Sequence, residues 1–132
     1  KRVLLRGFNT PMLVACWFAV LMAGGICVTS MPLLRMKELK YIIEKAKIDY
    51  VLTDTRLIEE ILVTQKYSEH SFSLFTFSEL GEGEEDIDSL ASQKESYFES
   101  VLTYGSDPAI IAFTSGTTGI SKGTIHTHHN LI

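Results

Sequence analysis

Residues 109–123 read Ala-Ile-Ile-Ala-Phe-Thr-Ser-Gly-Thr-Thr-Gly-Ile-Ser-Lys-Gly, an apolar run followed at once by a loop of glycine, hydroxyl and lysine residues. The apolar part predicts a buried strand. Glycines let backbone N–H groups approach an anion closely, hydroxyl side chains such as that of Ser121 add donors, and Lys122 adds a positive charge. We therefore predict a phosphate-binding loop formed by Thr114, Ser115, Gly116, Thr117, Thr118, Gly119, Lys122 and Gly123.

Two other interpretations of this loop are less favoured. The Walker loop of common nucleotide hydrolases requires Gly-Lys followed by Ser or Thr, whereas Lys122 lies between Ser121 and Gly123. A flexible Gly/Ser linker seldom follows a buried strand directly and then resumes a β-like run such as residues 124–127. The phosphate-binding interpretation therefore remains the strongest.

Upstream of this loop, short apolar runs alternate with segments of helical periodicity. Strands are predicted near residues 3–5, 26–29, 50–52 and 72–77, and helices near 11–23, 37–47 and 57–62. This alternation predicts an α/β fold with a mostly parallel sheet and flanking helices. We expect residues 1–77 to form a βαβαβαβ unit, residues 78–107 an acidic linker with a short helix, and residues 108–132 the strand, the loop and the following strand and helix start.

The stretch from Gly7 to Leu34 contains no charged residue and raises the possibility of a membrane span. Gly24 and Gly25 interrupt it and prolines bracket it, so we predict a helix, a turn and a strand instead. Thr10 is the expected cap of that helix and Pro11 its first residue. Because the helix is apolar nearly all round, we expect it to be buried.

Between Ser78 and Asp107 the sequence changes character, because acidic residues cluster with two glycines and Lys94 is the first basic residue. We expect a solvated connection, with Ile87, Leu90, Tyr97 and Phe98 forming a short helix that docks back. The acidic spacing matches no calcium-binding loop.

Composition narrows the classes of partner. The 132 residues carry a formal charge of −4, which argues against nucleic acid as a partner. Cys16 and Cys27 lie in apolar stretches without metal-ligand spacing, so we expect buried reduced thiols and a cytoplasmic location. His126 and His128 would share a strand face, but without a third ligand we expect no metal site, and we expect His70 to be exposed.

The segment from Phe113 to Gly123 resembles the signature loop of the adenylate-forming superfamily, which includes acyl- and aryl-CoA ligases, luciferases and adenylation domains. The resemblance extends to Thr127-His128-His129-Asn130, where it makes His128 a structural or capping residue, and upstream through Ala23-Gly24-Gly25, and it covers the whole chain. Residues 7–11 and 31–35 are most similar to ligases of the 2-aminobenzoate type. One departure is Ser121, where the family usually has proline, which removes a rigid φ and is expected to weaken the order of the loop without ATP.

The resemblance implies a two-step reaction. A small carboxylic acid attacks Mg²⁺-bound ATP, pyrophosphate leaves, and the acyl group then passes from AMP to coenzyme A. The loop would hold the β and γ phosphates, whereas the acid pocket, the Mg²⁺ ligand and the catalytic lysine of the family lie downstream. We therefore expect this piece, apart from the rest of its parent chain, to be inactive. A carrier-protein-loading adenylation domain and a stand-alone nucleotide-binding module remain as alternatives.

Overall fold

The computed structural model describes residues 1–115 and 119–132. In these residues six strands form one sheet in the order β4-β3-β1-β2-β5-β6. The strands are β1 (Arg2–Arg6), β2 (Ile26–Ser30), β3 (Tyr50–Asp54), β4 (Ser73–Phe77), β5 (Pro108–Ser115) and β6 (Ser121–Thr127). The helices are α1 (Pro11–Met22), α2 (Met36–Ala46), α3 (Ile58–Tyr67) and α4 (Asp86–Ser92), with 3₁₀ turns at Thr55–Leu57 and His128–Leu131.

The sheet is parallel from β4 through β5, and β6 alone among the described strands runs antiparallel to its neighbour. Helices cover both faces, as the alternation along β1 requires. Leu4 packs into the core cluster beneath α2 and α3, whereas Val3 and Leu5 pack into the cluster that includes Cys16 of α1. The predicted α/β class with a mostly parallel sheet is confirmed.

Helix α1 begins where the sequence predicts. The Thr10 hydroxyl accepts a hydrogen bond from the Leu13 amide at 3.3 Å, and Pro11 is the first helical residue. The expectation of burial on all sides is wrong, because Val14 and Phe18 are 52% and 54% exposed. One face of α1 packs on the sheet, and in the described part of the chain no element covers the opposite face.

None of the helices in residues 1–115 and 119–132 is both long and apolar enough to cross a membrane.

Helix α2 is amphipathic, as its sequence predicts. Leu39, Ile42 and Ile43 are buried against the sheet. Its first turn is tied down by carboxylates, since Glu38 accepts from the Arg35 amide at 3.2 Å and Glu60 of α3 accepts from the Met36 amide at 2.9 Å. Helix α2 is therefore fixed at its start and along its inner face.

The acidic stretch after β4 is more structured than its composition suggests. Asp88 is 2% exposed and accepts hydrogen bonds from the amides of Ser78 and Gly83 at 3.2 and 3.0 Å. The expectation of a solvated connection is wrong for this residue, because its carboxylate satisfies backbone donors in the turn after β4. Ile87 packs on the core, whereas Tyr97 and Phe98 lie exposed outside α4. The division into three parts at residues 77 and 107 stays a prediction.

Candidate phosphate-binding site

Strands β5 and β6 form an antiparallel hairpin at the edge of the sheet. Because β5 runs parallel to β2, the tip of the hairpin lies at the carboxyl ends of the parallel strands, the edge at which open α/β sheets bind ligands. Thr114 pairs with Lys122, and Ser115 pairs with Ser121. The register therefore places the only lysine of the loop directly opposite Thr114.

The predicted phosphate-binding residues are distributed around this hairpin. Thr114 and Ser115 are the last two residues of β5, and Lys122 and Gly123 lie in the first half of β6. Gly119 lies in the connection between the two strands. Gly116, Thr117 and Thr118 lie outside the described residues. The assignment of these eight residues to phosphate stays a prediction.

Two glycines of the set serve different structural requirements. Gly119 has a φ of +79°, a conformation that side chains with a Cβ rarely adopt, and no atom lies within 4 Å of the position a Cβ would take. At Gly123 a Cβ would lie 3.2 Å from Phe113 Cζ and 3.3 Å from Ile111 Cγ2. Gly119 is therefore required by backbone conformation, and Gly123 by close packing across the hairpin.

Ser121 has a different role from the one the sequence suggests. Its hydroxyl donates to the Thr114 carbonyl oxygen at 3.1 Å, so in this structure it closes the neck of the hairpin instead of standing free for phosphate. The Ser121 carbonyl oxygen accepts a hydrogen bond from the Tyr41 hydroxyl of α2 at 3.0 Å. Sequence reasoning missed Tyr41, whose position beside the apolar stripe of α2 was the available signal.

A cavity of about 720 Å³ lies between α2 and the hairpin. Apolar side chains from both elements line it, including Ile42 and Phe113, and Lys37 and Glu38 contribute charges. Gly119, Ile120 and Ser121 form the hairpin side of the same cavity. The candidate phosphate site therefore adjoins a space large enough for a small organic molecule.

A buried arginine that sequence reasoning also missed lies at the end of β1. Arg6 is 1% exposed, and its guanidinium donates to the carbonyl oxygens of Met31, Pro32 and Leu34 at 3.0–3.1 Å. Its Nε is buried and has no partner among the described residues. Burial lowers the pKa of Arg6 from its usual value. Arg6 therefore shapes the turn that leads from β2 into α2; its signal in the sequence was a charge at the end of an apolar strand.

At the end of β3 a second arginine pairs with a buried acid. Arg56 donates from Nε and Nη2 to the two oxygens of Asp54, at 3.0 and 2.7 Å, and its guanidinium lies 4.8 Å from the centre of the Phe8 ring. The hydrogen bonds from the Arg56 side chain lower the pKa of the Asp54 carboxyl. This pair joins the loop after β3 to the loop after β1.

His126, His128 and His129 lie at the end of β6 and in the turn after it, and His70 lies before β4. His126 lies in β6 and His128 starts the following 3₁₀ turn, so the two do not share a strand face. Asn130 accepts from the Thr127 amide at 2.9 Å and thus caps that turn. His70 is half-buried with its Nε2 2.8 Å from the Ile48 carbonyl oxygen, so the expectation that it is exposed is wrong. The described residues contain no group of three or more potential metal ligands.

The sequence model of a family described as AMP-binding enzyme matches residues 1–132, the whole chain. The chain belongs to this family. The predicted membership of the adenylate-forming superfamily is thereby confirmed, whereas the 2-aminobenzoate type stays a prediction.

Named relatives of this AMP-binding enzyme chain are CoA ligases. It is 27% identical over 150 residues to a long-chain-fatty-acid–CoA ligase of Bacillus subtilis, with 94% of this chain and 27% of that protein covered. It is 28% identical over 137 residues to a crotonobetaine/carnitine–CoA ligase of Salmonella paratyphi B, with 98% and 26% covered. The chain therefore spans about a quarter of the length of these relatives.

The fold of the AMP-binding enzyme chain closely matches that of a solved structure. The ATP-bound crystal structure of MatB from Rhodopseudomonas palustris superposes with a TM-score of 0.85 at 25% identity, covering 99% of this chain and 25% of that one. The sheet, its helices and the β5–β6 hairpin thus form the fold found in the N-terminal domain of adenylate-forming enzymes.

Proposed function

We propose that this chain provides the phosphate-binding hairpin of an ATP-dependent, AMP-forming carboxylate–CoA ligase. The observation that carries the proposal is the pairing of Thr114 with Lys122 in a glycine-containing hairpin at the carboxyl edge of the sheet, within a chain that matches the AMP-binding enzyme family throughout. The CoA ligases named among its relatives support coenzyme A as the thiol acceptor. If the acceptor were instead a carrier protein, the first step, formation of the acyl-adenylate, would be the same.

In the first step a carboxylate oxygen attacks the α-phosphorus of ATP, and the bond from that phosphorus to the bridging oxygen breaks. The electron pair leaves with pyrophosphate, and an acyl-adenylate remains. In the second step the thiolate of coenzyme A attacks the acyl carbonyl carbon and AMP departs. The hairpin acts in the first step, because negative charge develops on the leaving pyrophosphate as the bond breaks.

The roles proposed for individual residues follow from their chemistry. The Lys122 ammonium pairs with the β and γ phosphate oxygens, and the hydroxyls of Thr114, Ser115, Thr117 and Thr118 donate to the same oxygens. Gly116, Gly119 and Gly123 let backbone N–H groups approach the phosphates. Together these groups hold the pyrophosphate portion and orient the α-phosphorus for attack.

In this proposal Mg²⁺ would bind together with ATP. Mg²⁺ prefers oxygen ligands and usually binds through one or two carboxylates together with the phosphates of the substrate. Asp54, a buried acid at the same edge of the sheet, is already paired with Arg56, and the Asp88 carboxylate is occupied by the amides of Ser78 and Gly83. We therefore assign no residue of the described part to the ion and derive no step through it.

For the acid substrate we propose an aryl carboxylate of the 2-aminobenzoate type. Support comes from residues 7–11 and 31–35, which resemble the corresponding segments of 2-aminobenzoate ligases. These residues form two turns that follow β1 and β2 at the ligand-binding edge of the sheet. The named relatives act on a long-chain fatty acid and on crotonobetaine or carnitine, so an aliphatic acid is the competing proposal. We also propose a cytoplasmic location, supported by two buried, unpaired cysteines.

The test uses the full-length protein that carries this chain and measures carboxylate-dependent exchange of pyrophosphate into ATP. A panel of benzoate, 2-aminobenzoate, octanoate and palmitate separates aryl from aliphatic substrates. We expect exchange to be fastest with the aryl acids, and CoA thioester to form when coenzyme A is added. Absence of exchange with every acid would overturn the ligase proposal, and preference for palmitate would overturn only the substrate.

A second arm of the test uses residues 1–132 alone. We expect neither pyrophosphate exchange nor acyl-adenylate formation, because in this proposal the acid pocket and the catalytic lysine belong to the rest of the parent chain. Turnover by this segment would contradict that expectation.

A further inference from the structure

The side chain of Tyr41 in helix α2 contacts the β5–β6 hairpin directly. The Tyr41 hydroxyl donates to the Ser121 carbonyl oxygen at 3.0 Å, although 80 residues separate the two in sequence. The Tyr41 ring meets the Phe113 ring edge to face, with centres 6.3 Å apart and planes at 84°. Tyr41 thus contacts both strands of the hairpin, β5 through Phe113 and β6 through Ser121.

The contact falls at the neck of the hairpin. The Ser121 hydroxyl donates across the strands to the Thr114 carbonyl oxygen at 3.1 Å, and Lys122 is the next residue along β6. Of the described residues beyond this neck, Ile120 is 60% exposed, and no atom lies within 4 Å of the position that a Cβ of Gly119 would take. Among the described residues, Tyr41 and Ser121 make the side-chain hydrogen bonds nearest to the tip.

The other end of this contact is rigid. Leu39, Ile42 and Ile43, which flank Tyr41 in α2, are at most 2% exposed and form the core beneath the sheet. A hydrogen bond from a side chain on such a helix restrains the hairpin more than one from another loop would. Serine imposes no fixed φ at the start of β6, so the restraint on the backbone there comes from these contacts.

We propose that Tyr41 is a positioning residue for ATP: it holds the Ser121 end of the hairpin so that Lys122 and the adjacent backbone are ordered before the phosphates arrive. The proposal rests on the phosphate-binding role of the hairpin proposed above. In this proposal Tyr41 acts through the backbone of Ser121 and does not itself bind the phosphates. Its effect is to reduce the conformational entropy that is lost when the phosphates bind.

The first experiment compares Tyr41→Phe with Tyr50→Phe in the full-length protein. Tyr50 also packs beside an aromatic ring, that of Phe75 at 6.3 Å, so both changes remove only a hydroxyl from a paired tyrosine. We expect Tyr41→Phe to raise the KM for ATP about three- to tenfold, the effect of one lost hydrogen bond. The KM values for the acid and for coenzyme A, and the rate of thioester formation from a preformed adenylate, should not change.

A rescue experiment separates positioning from general stability. Ser121 is the first residue of β6, a place where strands accept proline, and proline would fix φ there without the tyrosine contact. Adding Ser121→Pro to Tyr41→Phe should lower the KM for ATP most of the way back to the wild-type value, whereas adding Ser121→Ala should leave it raised. Equal rises in the KM for all three substrates, or no rescue by proline, would overturn the proposal.

Hydrogen exchange of the amides at residues 119–125, measured without ATP, gives a readout that does not depend on activity. We expect faster exchange in Tyr41→Phe than in wild type and Tyr50→Phe, and slower exchange again once Ser121→Pro is added. Unchanged exchange in Tyr41→Phe would contradict the positioning role. If the wild-type protein shows no pyrophosphate exchange with any acid, the ligase proposal fails, and this comparison still decides whether Tyr41 orders the hairpin.

Discussion

Gly123 lies opposite Phe113 in the β5–β6 hairpin, and a Cβ at residue 123 would come within 3.2 Å of the Phe113 ring. The ring is also in edge-to-face contact with Tyr41, so it has little freedom to move away. The packing of Phe113 against Tyr41 therefore depends on the absence of a side chain at residue 123.

Replacement of Gly123 by alanine tests this packing. Alanine is normally the more stable residue within a strand, by about 0.5–1 kcal/mol, so a neutral site would gain stability. We expect a loss of about 1 kcal/mol instead, because the Phe113 ring must shift, together with a higher KM for ATP. Urea unfolding and initial rates measure the two effects. Thr124→Ala, at the exposed neighbouring position, is the control, and a stabilised Gly123→Ala variant would disprove the packing argument.

Arg6 fixes the turn before α2, so its removal should destabilise the protein strongly. Arg6→Met keeps the length of the side chain but leaves the carbonyl groups of Met31, Pro32 and Leu34 without their donor. We expect the free energy of unfolding to fall by about 2–4 kcal/mol. Arg2→Met, at the exposed start of the same strand, should change it by less than about 0.5 kcal/mol. Similar effects of the two substitutions would show that the guanidinium contacts do not stabilise the turn.

The Asp54–Arg56 pair predicts a specific loss of stability in acid. The pKa of Asp54 is lowered in the folded protein, chiefly by the hydrogen bonds from Arg56. The stabilisation is therefore fully present above the unfolded pKa of about 4 and is lost as pH falls through the lower folded pKa. At pH 7 we expect Asp54→Asn to reduce the free energy of unfolding by about 1–2 kcal/mol, since Arg56 is half exposed.

In urea titrations the difference between wild type and Asp54→Asn should be the same at pH 5 as at pH 7, and should shrink at pH 4 and further at pH 3. Glu82→Gln, a change at an exposed acid, provides the baseline for general charge effects. A difference that stays constant down to pH 3 would contradict the ion-pair explanation.

Both cysteines should be unreactive while the protein is folded. Burial raises the pKa of Cys16 to about 11 and that of Cys27 to about 12. Thiolate is the reactive form, so relative to an ordinary thiol with a pKa near 9 its fraction at pH 8 falls by about 100-fold or more. We expect alkylation by iodoacetamide to be slow in buffer and fast in about 6 M guanidinium chloride, which unfolds the protein. Rapid alkylation of the native protein would show that these thiols are accessible.

The sequence predicted those features that depend on local pattern. Thr10 and Pro11 marked the start of α1, and the spacing of Leu39, Ile42 and Ile43 marked the inner face of α2, because capping and helical periodicity act over a few residues. The order of the strands was not predicted, because pairing such as that of β1 with β3 depends on contacts far apart in the chain.

In the candidate site, too, the local features were predicted and the long-range contacts were not. Thr114, Lys122 and the glycines were predicted from composition and spacing. The Tyr41–Ser121 hydrogen bond and the carbonyl contacts of Arg6 were missed because each joins segments that are distant in the chain, and the sequence marks only the single side chain and not its partner. The exposed face of α1 was mispredicted because hydrophobicity alone does not tell which apolar surface a neighbouring element covers.

The central claim is that the β5–β6 hairpin binds the pyrophosphate portion of ATP, and the half-reactions of a Lys122→Ala variant test it most directly. Pyrophosphate exchange reports the first step, and thioester formation from a preformed acyl-adenylate reports the second. Lys94→Ala, at another exposed lysine, is the matched control. We expect Lys122→Ala to slow the first step about 10- to 100-fold, with the second step and the control unchanged. Equal slowing of both steps, or no slowing of the first, would contradict the claim.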